Sequence, residues 1–92
     1  REEDLSEGAL MVANRIKKNL RKLMPWLKTA DTNAYRVYDA DLPEYAAAVD
    51  LYDGRVHVQE YAAPKNIPED VTQRRLRELV NAVAYVLAVP QK

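Results

Sequence analysis

Asp53-Gly54 separates two alternating runs, Ala46 to Tyr52 and Arg55 to Tyr61, and no other short feature of the 92-residue chain restricts the fold as strongly. Both turn residues tolerate positive φ, so the runs are expected to pair antiparallel through a type I′ turn. Alternation then assigns faces. On the first run Ala47, Val49 and Leu51 share one side, and Ala46, Ala48, Asp50 and Tyr52 the other; on the second, Val56 and Val58 oppose His57, Gln59 and Tyr61. The hairpin has one apolar face and one polar face carrying aromatics. A further short run rich in β-formers, "YRVY" at 35–38, adds a strand ahead of 46–52 and 55–61.

Helical periods flank these strands. Ala9, Val12, Ile16, Leu20, Leu23 and Leu27 recur at steps of three and four, which predicts a helix over about 5–28. Asp4 with Glu7 three residues on suits a capping box, and Pro25 is expected to end or kink the helix near Met24. Leu76, Leu79, Val80, Val83, Val86 and Leu87 form a second stripe, predicting a helix over about 68–88 with Pro68 in its first turn and Pro90 as its stop. The order helix–strand–strand–strand–helix argues for a two-layer α+β sandwich, an antiparallel sheet with helices on one face, as a single accessory subdomain. Three strands with bare edges are marginal by themselves, so the subdomain is expected to be incomplete, with a fourth strand supplied from beyond Lys92. An open edge at strand one or three also leaves room for a homodimer.

Composition narrows the function classes. There is no cysteine, which removes disulfide frameworks and thiolate zinc sites and fits a cytoplasmic protein. No apolar run approaches the roughly 20 residues of a membrane span, so no membrane partner is expected. The formal charge is zero, yet unevenly laid out: Arg15, Lys17, Lys18, Arg21, Lys22 and Lys28 follow one another with no acid between, whereas seven acids between Asp31 and Glu60 face only Arg36 and Arg55.

Three groupings could carry chemistry. "DADLPEY", Asp39 to Tyr45, collects Asp39, Asp41 and Glu44 beside Tyr45 in the expected loop between strands one and two. Carboxylates so placed can bind a hard cation or share proton transfer, but solvated turns are also rich in them, and Leu42-Pro43 reads as turn chemistry. His57 is the sole histidine, without a second imidazole or thiol to make a metal site. The basic stretch supplies point charges for phosphate, although a solvated helix face is the commoner fate of such lysines, while the aromatic and polar sheet face can equally stack bases or lie under another domain. Gly8 and Gly54 are the only glycines, and neither opens a strand–loop–helix unit, so no phosphate cradle, catalytic residue or metal site is expected.

"MVANRIKKNL" (Met11 to Leu20), "YRVYDADLPEY" (Tyr35 to Tyr45), "AVDLY" (Ala48 to Tyr52) and "VHVQEYAAPK" (Val56 to Lys65) together resemble the bifunctional bacterial 23S rRNA guanine methyltransferases, at the start of their C-terminal, N7-guanine half. The resemblance covers most of the chain in matching order. It implies a parent with a THUMP RNA-binding domain, an N2-guanine methyltransferase domain and a second methyltransferase half, with S-adenosylmethionine as donor and 23S rRNA as substrate. It also implies that the glycine-rich cofactor motif and the Asp-Pro-Pro catalytic motif lie outside this chain, and that a following basic strand completes the sheet. Pro25 departs from a family helix that runs uninterrupted, and the tail from Val71 agrees by pattern more than by letter.

On that resemblance Arg15, Lys18, Arg21 and Lys22 are expected to meet phosphate, while Tyr38, Asp39, Asp41, Glu44 and Tyr45 form a wall of the substrate cavity of a neighbouring methyltransferase domain. Carboxylates there could accept from the N1–H and exocyclic amine of a flipped guanine. The alternative is an interdomain spacer that touches no RNA.

Overall fold

A computed structural model describes residues 1–62 and 65–87. A short 3₁₀ turn, Glu2–Asp4, leads into α1, Glu7–Leu27; then come β1, Ala34–Asp39, β2, Ala47–Tyr52, and β3, Arg55–Glu60; α2, Glu69–Leu87, completes the order. The three strands form one antiparallel sheet in the order β1-β2-β3. Both helices pack on one face of it, as the two apolar stripes require. Ala9, Val12, Ala13 and Ile16 from α1 and Leu79, Ala82 and Val83 from α2 enclose Val37, Tyr38, Ala47 and Val49 from the sheet.

The hairpin turn forms as the sequence demands. Asp53 and Gly54 take φ of 50° and 77°, and Tyr52 pairs with Arg55. Two positive φ values match the twist of the flanking strands, which is why Asp-Gly is favoured here.

Helix ends differ from the sequence expectation in instructive ways. α1 starts at Glu7, and its cap is Ser6, whose Oγ accepts from the Ala9 N–H at 3.1 Å; Asp4 instead meets the N-terminal ammonium at 3.2 Å. A hydroxyl at the first non-helical position satisfies a free helix donor better than a carboxylate stranded two residues upstream. α1 also passes through Pro25 to Leu27 rather than stopping at Met24, and the Lys28 N–H still reaches the Met24 carbonyl at 3.1 Å. Close to a helix end the lost donor costs a single hydrogen bond, and the turn beyond it is intact. At α2, Pro68 lies just outside the helix, its carbonyl accepting from Val71 and Thr72 at 3.1 and 3.2 Å. The expected stop at Pro90 lies outside the described residues.

The largest departure is in β1. The register runs Arg36↔Asp50 and then Tyr38↔Val49, so Val37 is an extra residue in a β-bulge. Strict alternation of "YRVY" would send Val37 and Tyr38 to opposite faces. The bulge turns both inward, each 1% exposed, and leaves Arg36 and Asp39 on the same outer face.

Candidate functional site

The loop after β1 is built around one hydroxyl. Tyr38 Oη accepts from the Leu42 N–H at 3.2 Å and donates to the Tyr45 carbonyl at 2.7 Å, bridging both sides of the turn from beneath. Ala40 takes a left-handed φ of 49°, and its N–H reaches the Ala47 carbonyl at 2.9 Å. Asp41 folds back, one oxygen accepting from the Asp39 N–H at 2.8 Å and the other from Asn19 Nδ2 of α1 at 2.9 Å; the same Asn19 amide reaches the Val37 carbonyl at 2.9 Å. The acidic segment is a turn pinned to α1, and Asp39 is the last residue of β1 rather than part of the loop.

The residues singled out by sequence fall into three places. Tyr38 and Tyr45 are 1% and 8% exposed and belong to the core, so they support the turn from inside. Asp39 and Asp41 line a groove of about 270 Å³ between α1 and β1, whose other bank carries Asn19 and Lys22. Glu44 lies apart, against a hollow shared with Tyr61 and Arg75. Arg15, Lys18 and Lys22 follow one another at steps of three and four along α1, with Arg21 three residues after Lys18, and all four lie on the half of the helix turned away from the core stripe. Among the described residues none of these four cations forms an ion pair. Lys17 is placed differently, its Nζ 4.9 Å from the centre of the Tyr85 ring on α2.

Two clusters escaped the sequence reading. On the open face of the sheet, Arg36 Nε and Nη2 donate to the two Asp50 oxygens at 2.7 and 3.1 Å, Arg36 Nη1 donates to Asp39 at 3.1 Å, and Tyr61 Oη donates to the other Asp39 oxygen at 2.6 Å. His57 stands opposite Asp50 in the same row. Between the helices, Ser6 Oγ and Tyr45 Oη donate to the two oxygens of Glu78 at 2.5 and 3.1 Å, directly above Gly8. The opposite charges of Arg36 and Asp50 were visible in the sequence; their pairing depends on a register that a seven-residue connection with a bulge does not announce.

These contacts set titration directions. The Tyr61 hydroxyl, then Arg36, holds Asp39 below the usual carboxylate range, and hydrogen bonds from Arg36 do the same for Asp50. Tyr61 is raised by donating to Asp39, and burial raises Tyr38 and Tyr45, the latter further by Glu78. Carboxylates depressed in the folded state give stability that is complete above their unfolded values near pH 4 and is lost as pH falls through the folded ones. Raised tyrosines give stability complete below about pH 10 and lost as pH rises through their folded values. Urea midpoints measured against pH should therefore fall at both extremes, and Asp50→Asn should make the acid limb shallower; an unchanged acid limb would remove Asp50 from the balance.

Among the described residues no group of three or more His, Asp or Glu side chains is placed to hold a metal, and no helix is long and apolar enough to cross a membrane. Neither glycine of the chain offers a cradle for a nucleoside cofactor such as S-adenosylmethionine. A nucleoside cradle needs backbone that a ligand can approach closely. The space over Gly8 is filled by Tyr45 and Glu78, and Gly54 forms the hairpin turn.

Fold and surface define a small two-layer α+β module presenting a cationic helix face, without ion pairs among the described residues, beside a groove lined by Lys22, Arg36, Asp39 and Asp41. No family model matches the chain. Its sequence is 58% identical over 76 residues to Ribosomal RNA large subunit methyltransferase K/L of Syntrophotalea carbinolica, covering 83% of this chain and 11% of that protein. Proteins of the same name from Saccharophagus degradans and Pseudomonas putida are 53% and 54% identical over 89 residues, covering 97% and 96% of the chain and 12% of each relative. Agreement of this extent marks common descent: the chain is homologous to a segment of these methyltransferases, and it spans 11 to 12% of the length of these curated relatives.

Proposed function

We propose that the chain is a non-catalytic, RNA-engaging subdomain of an S-adenosylmethionine-dependent 23S rRNA guanine methyltransferase of the cytoplasm, from the start of its N7-guanine half, and that it positions rRNA beside the adjacent catalytic domain. The observation that carries this reading is the outward row of Arg15, Lys18 and Lys22 with Arg21 beside it, four cations without acidic partners among the described residues, in a chain whose relatives are named for ribosomal RNA. Unpaired cations in a row release counterions when they meet a phosphate backbone. Asp39 and Asp41 stand across the groove from Lys22, where a base displaced from the helix-bound strand would meet acceptors. Asp39 is already engaged by Arg36 and Tyr61, and Asp41 by Asn19 and the Asp39 N–H, which leaves Glu44, outside the groove, as the carboxylate without a hydrogen bond among the described residues.

Gel-shift titration of the chain with a 23S rRNA hairpin at two salt concentrations tests the reading. Neutralising Arg15, Lys18, Arg21 and Lys22 together is expected to flatten the slope of log K against log salt by about 3, at roughly 0.7 to 0.9 per phosphate contact. An unchanged slope would remove the phosphate role.

A second reading has one observation in its favour. The Arg36–Asp50–Asp39–Tyr61 network already engages the charged groups of the open face of the sheet with one another, and Ala48 in its midst is only 1% exposed, a surface suited to lie under another domain. If the chain is such a spacer, Asp39→Asn and Glu44→Gln in the intact enzyme should shift thermal stability and leave methyl transfer to an rRNA fragment unaltered.

A further inference from the structure

The open face of the sheet has two unlike halves. Around Ala48 the charged groups hold one another, through the contacts among Arg36, Asp39, Asp50 and Tyr61. Toward the hairpin turn the register sets Tyr52 beside Arg55 and, one row further in, Asp50 beside His57, and alternation puts all four on this face. Tyr52 is 63% exposed, more than any other large hydrophobic side chain among the described residues. Arg55 is exposed as well and forms no ion pair among the described residues. A depression of about 710 Å³ is lined by residues 34–36, 50–52 and 55–57, the parts of the three strands nearest the turn. Arg36 lines both this depression and the groove beside α1 that carries Lys22, which joins the two across β1.

We infer that, on the reading that α1 meets the rRNA backbone, this depression takes an unpaired base of the same RNA, stacked on the Tyr52 ring, with Arg55 on the phosphate of that nucleotide. The bound segment next to α1 is then single-stranded. Every base has a π-face to lay on an exposed aromatic ring, whereas a duplex keeps its bases stacked on one another and has none to offer. Charge sorts base from backbone. Arg36 is already satisfied by two carboxylates, and Asp39 and Asp50 beside it repel phosphate, so the middle of the face suits a base. Only Arg55, at the rim, has charge to spare.

Fluorescence anisotropy of labelled oligouridine and of a labelled, fully paired RNA duplex, each titrated with the 92-residue chain at several salt concentrations, tests this. Tyr52→Ala is expected to weaken oligouridine binding about tenfold or more while duplex binding and both salt slopes stay as in the parent, and Tyr52→Phe should keep the parent affinity. Arg55→Gln should flatten the oligouridine slope by about 0.7, the share of one phosphate. Far-UV circular dichroism reports folding; should Tyr52→Ala fail to fold, Tyr52→Thr removes the ring and keeps a strand former. Unchanged oligouridine binding in Tyr52→Ala, equal losses on strand and duplex, or a loss in Tyr52→Phe as large as in Tyr52→Ala would each overturn the stacked base and leave the α1 cations in their role. A chain that binds neither RNA would overturn both together.

Discussion

Replacing Tyr38 by alanine is expected to lower the unfolding free energy by about 3 to 5 kcal/mol, the range for deleting a buried aromatic side chain. Tyr38 is 1% exposed and sits where the bulge presses β1 into both helices. It does more than fill space. Its hydroxyl holds Leu42 and Tyr45 across the turn, so Tyr38→Phe isolates the second role: the ring stays, the Leu42 N–H loses its partner, and the Tyr45 carbonyl keeps only the Ala47 N–H at 3.1 Å. Leaving such groups unpaired costs about 1 to 3 kcal/mol. Chemical denaturation should give the two losses separately, and hydrogen exchange should show faster opening at Leu42 in Tyr38→Phe. Equal stability of Tyr38→Phe and the parent would show that water replaces the hydroxyl without cost.

Gly8→Ala is expected to destabilise the chain although alanine is the better helix former. A Cβ on Gly8 would fall well inside contact distance of Tyr45 Oη and 2.7 Å from a Glu78 oxygen. Moving the tyrosine means moving a ring anchored in the core and a carboxylate that also holds the α1 cap at Ser6. Overpacking of this kind costs about 1 to 3 kcal/mol, against roughly 1 kcal/mol gained from helix propensity. Steric conflict wins at a closely packed site. The direct check is a double-mutant cycle with Tyr45→Phe: removal of the hydroxyl makes room, so Gly8→Ala should cost less in that background. Additive losses would place the conflict elsewhere.

The Gly8 site shows why some of the fold was legible and some was not. A glycine inside a helical period reads as a weak point in sequence, and nothing along the chain says that Tyr45 and Glu78 converge on it from 37 and 70 residues away. The helical stripes, by contrast, were plain, because a step of three or four depends only on neighbouring residues. The basic row on α1 was legible for the same reason. The acidic loop was legible as composition, but its division into a pinned Asp41, a strand residue Asp39 and a separate Glu44 was not.

Faces of β1 needed the tertiary structure for a different reason. Alternation presumes one residue opposite one, and a single extra residue at Val37 reverses the side of everything beyond it. Tyr38 is therefore buried, and Asp39 joins Arg36, Asp50 and Tyr61 on the open face.

By itself the sequence determined the element order, the Asp53-Gly54 hairpin, the apolar stripes and the likeness to rRNA methyltransferases, all properties carried by short-range pattern or by letter-for-letter agreement with relatives. Only the tertiary structure decided the bulge, the polar network on the open face and the filled space over Gly8. Each of these depends on which backbone and side-chain groups meet across long separations in the chain, and those meetings are set by packing the helices on the sheet.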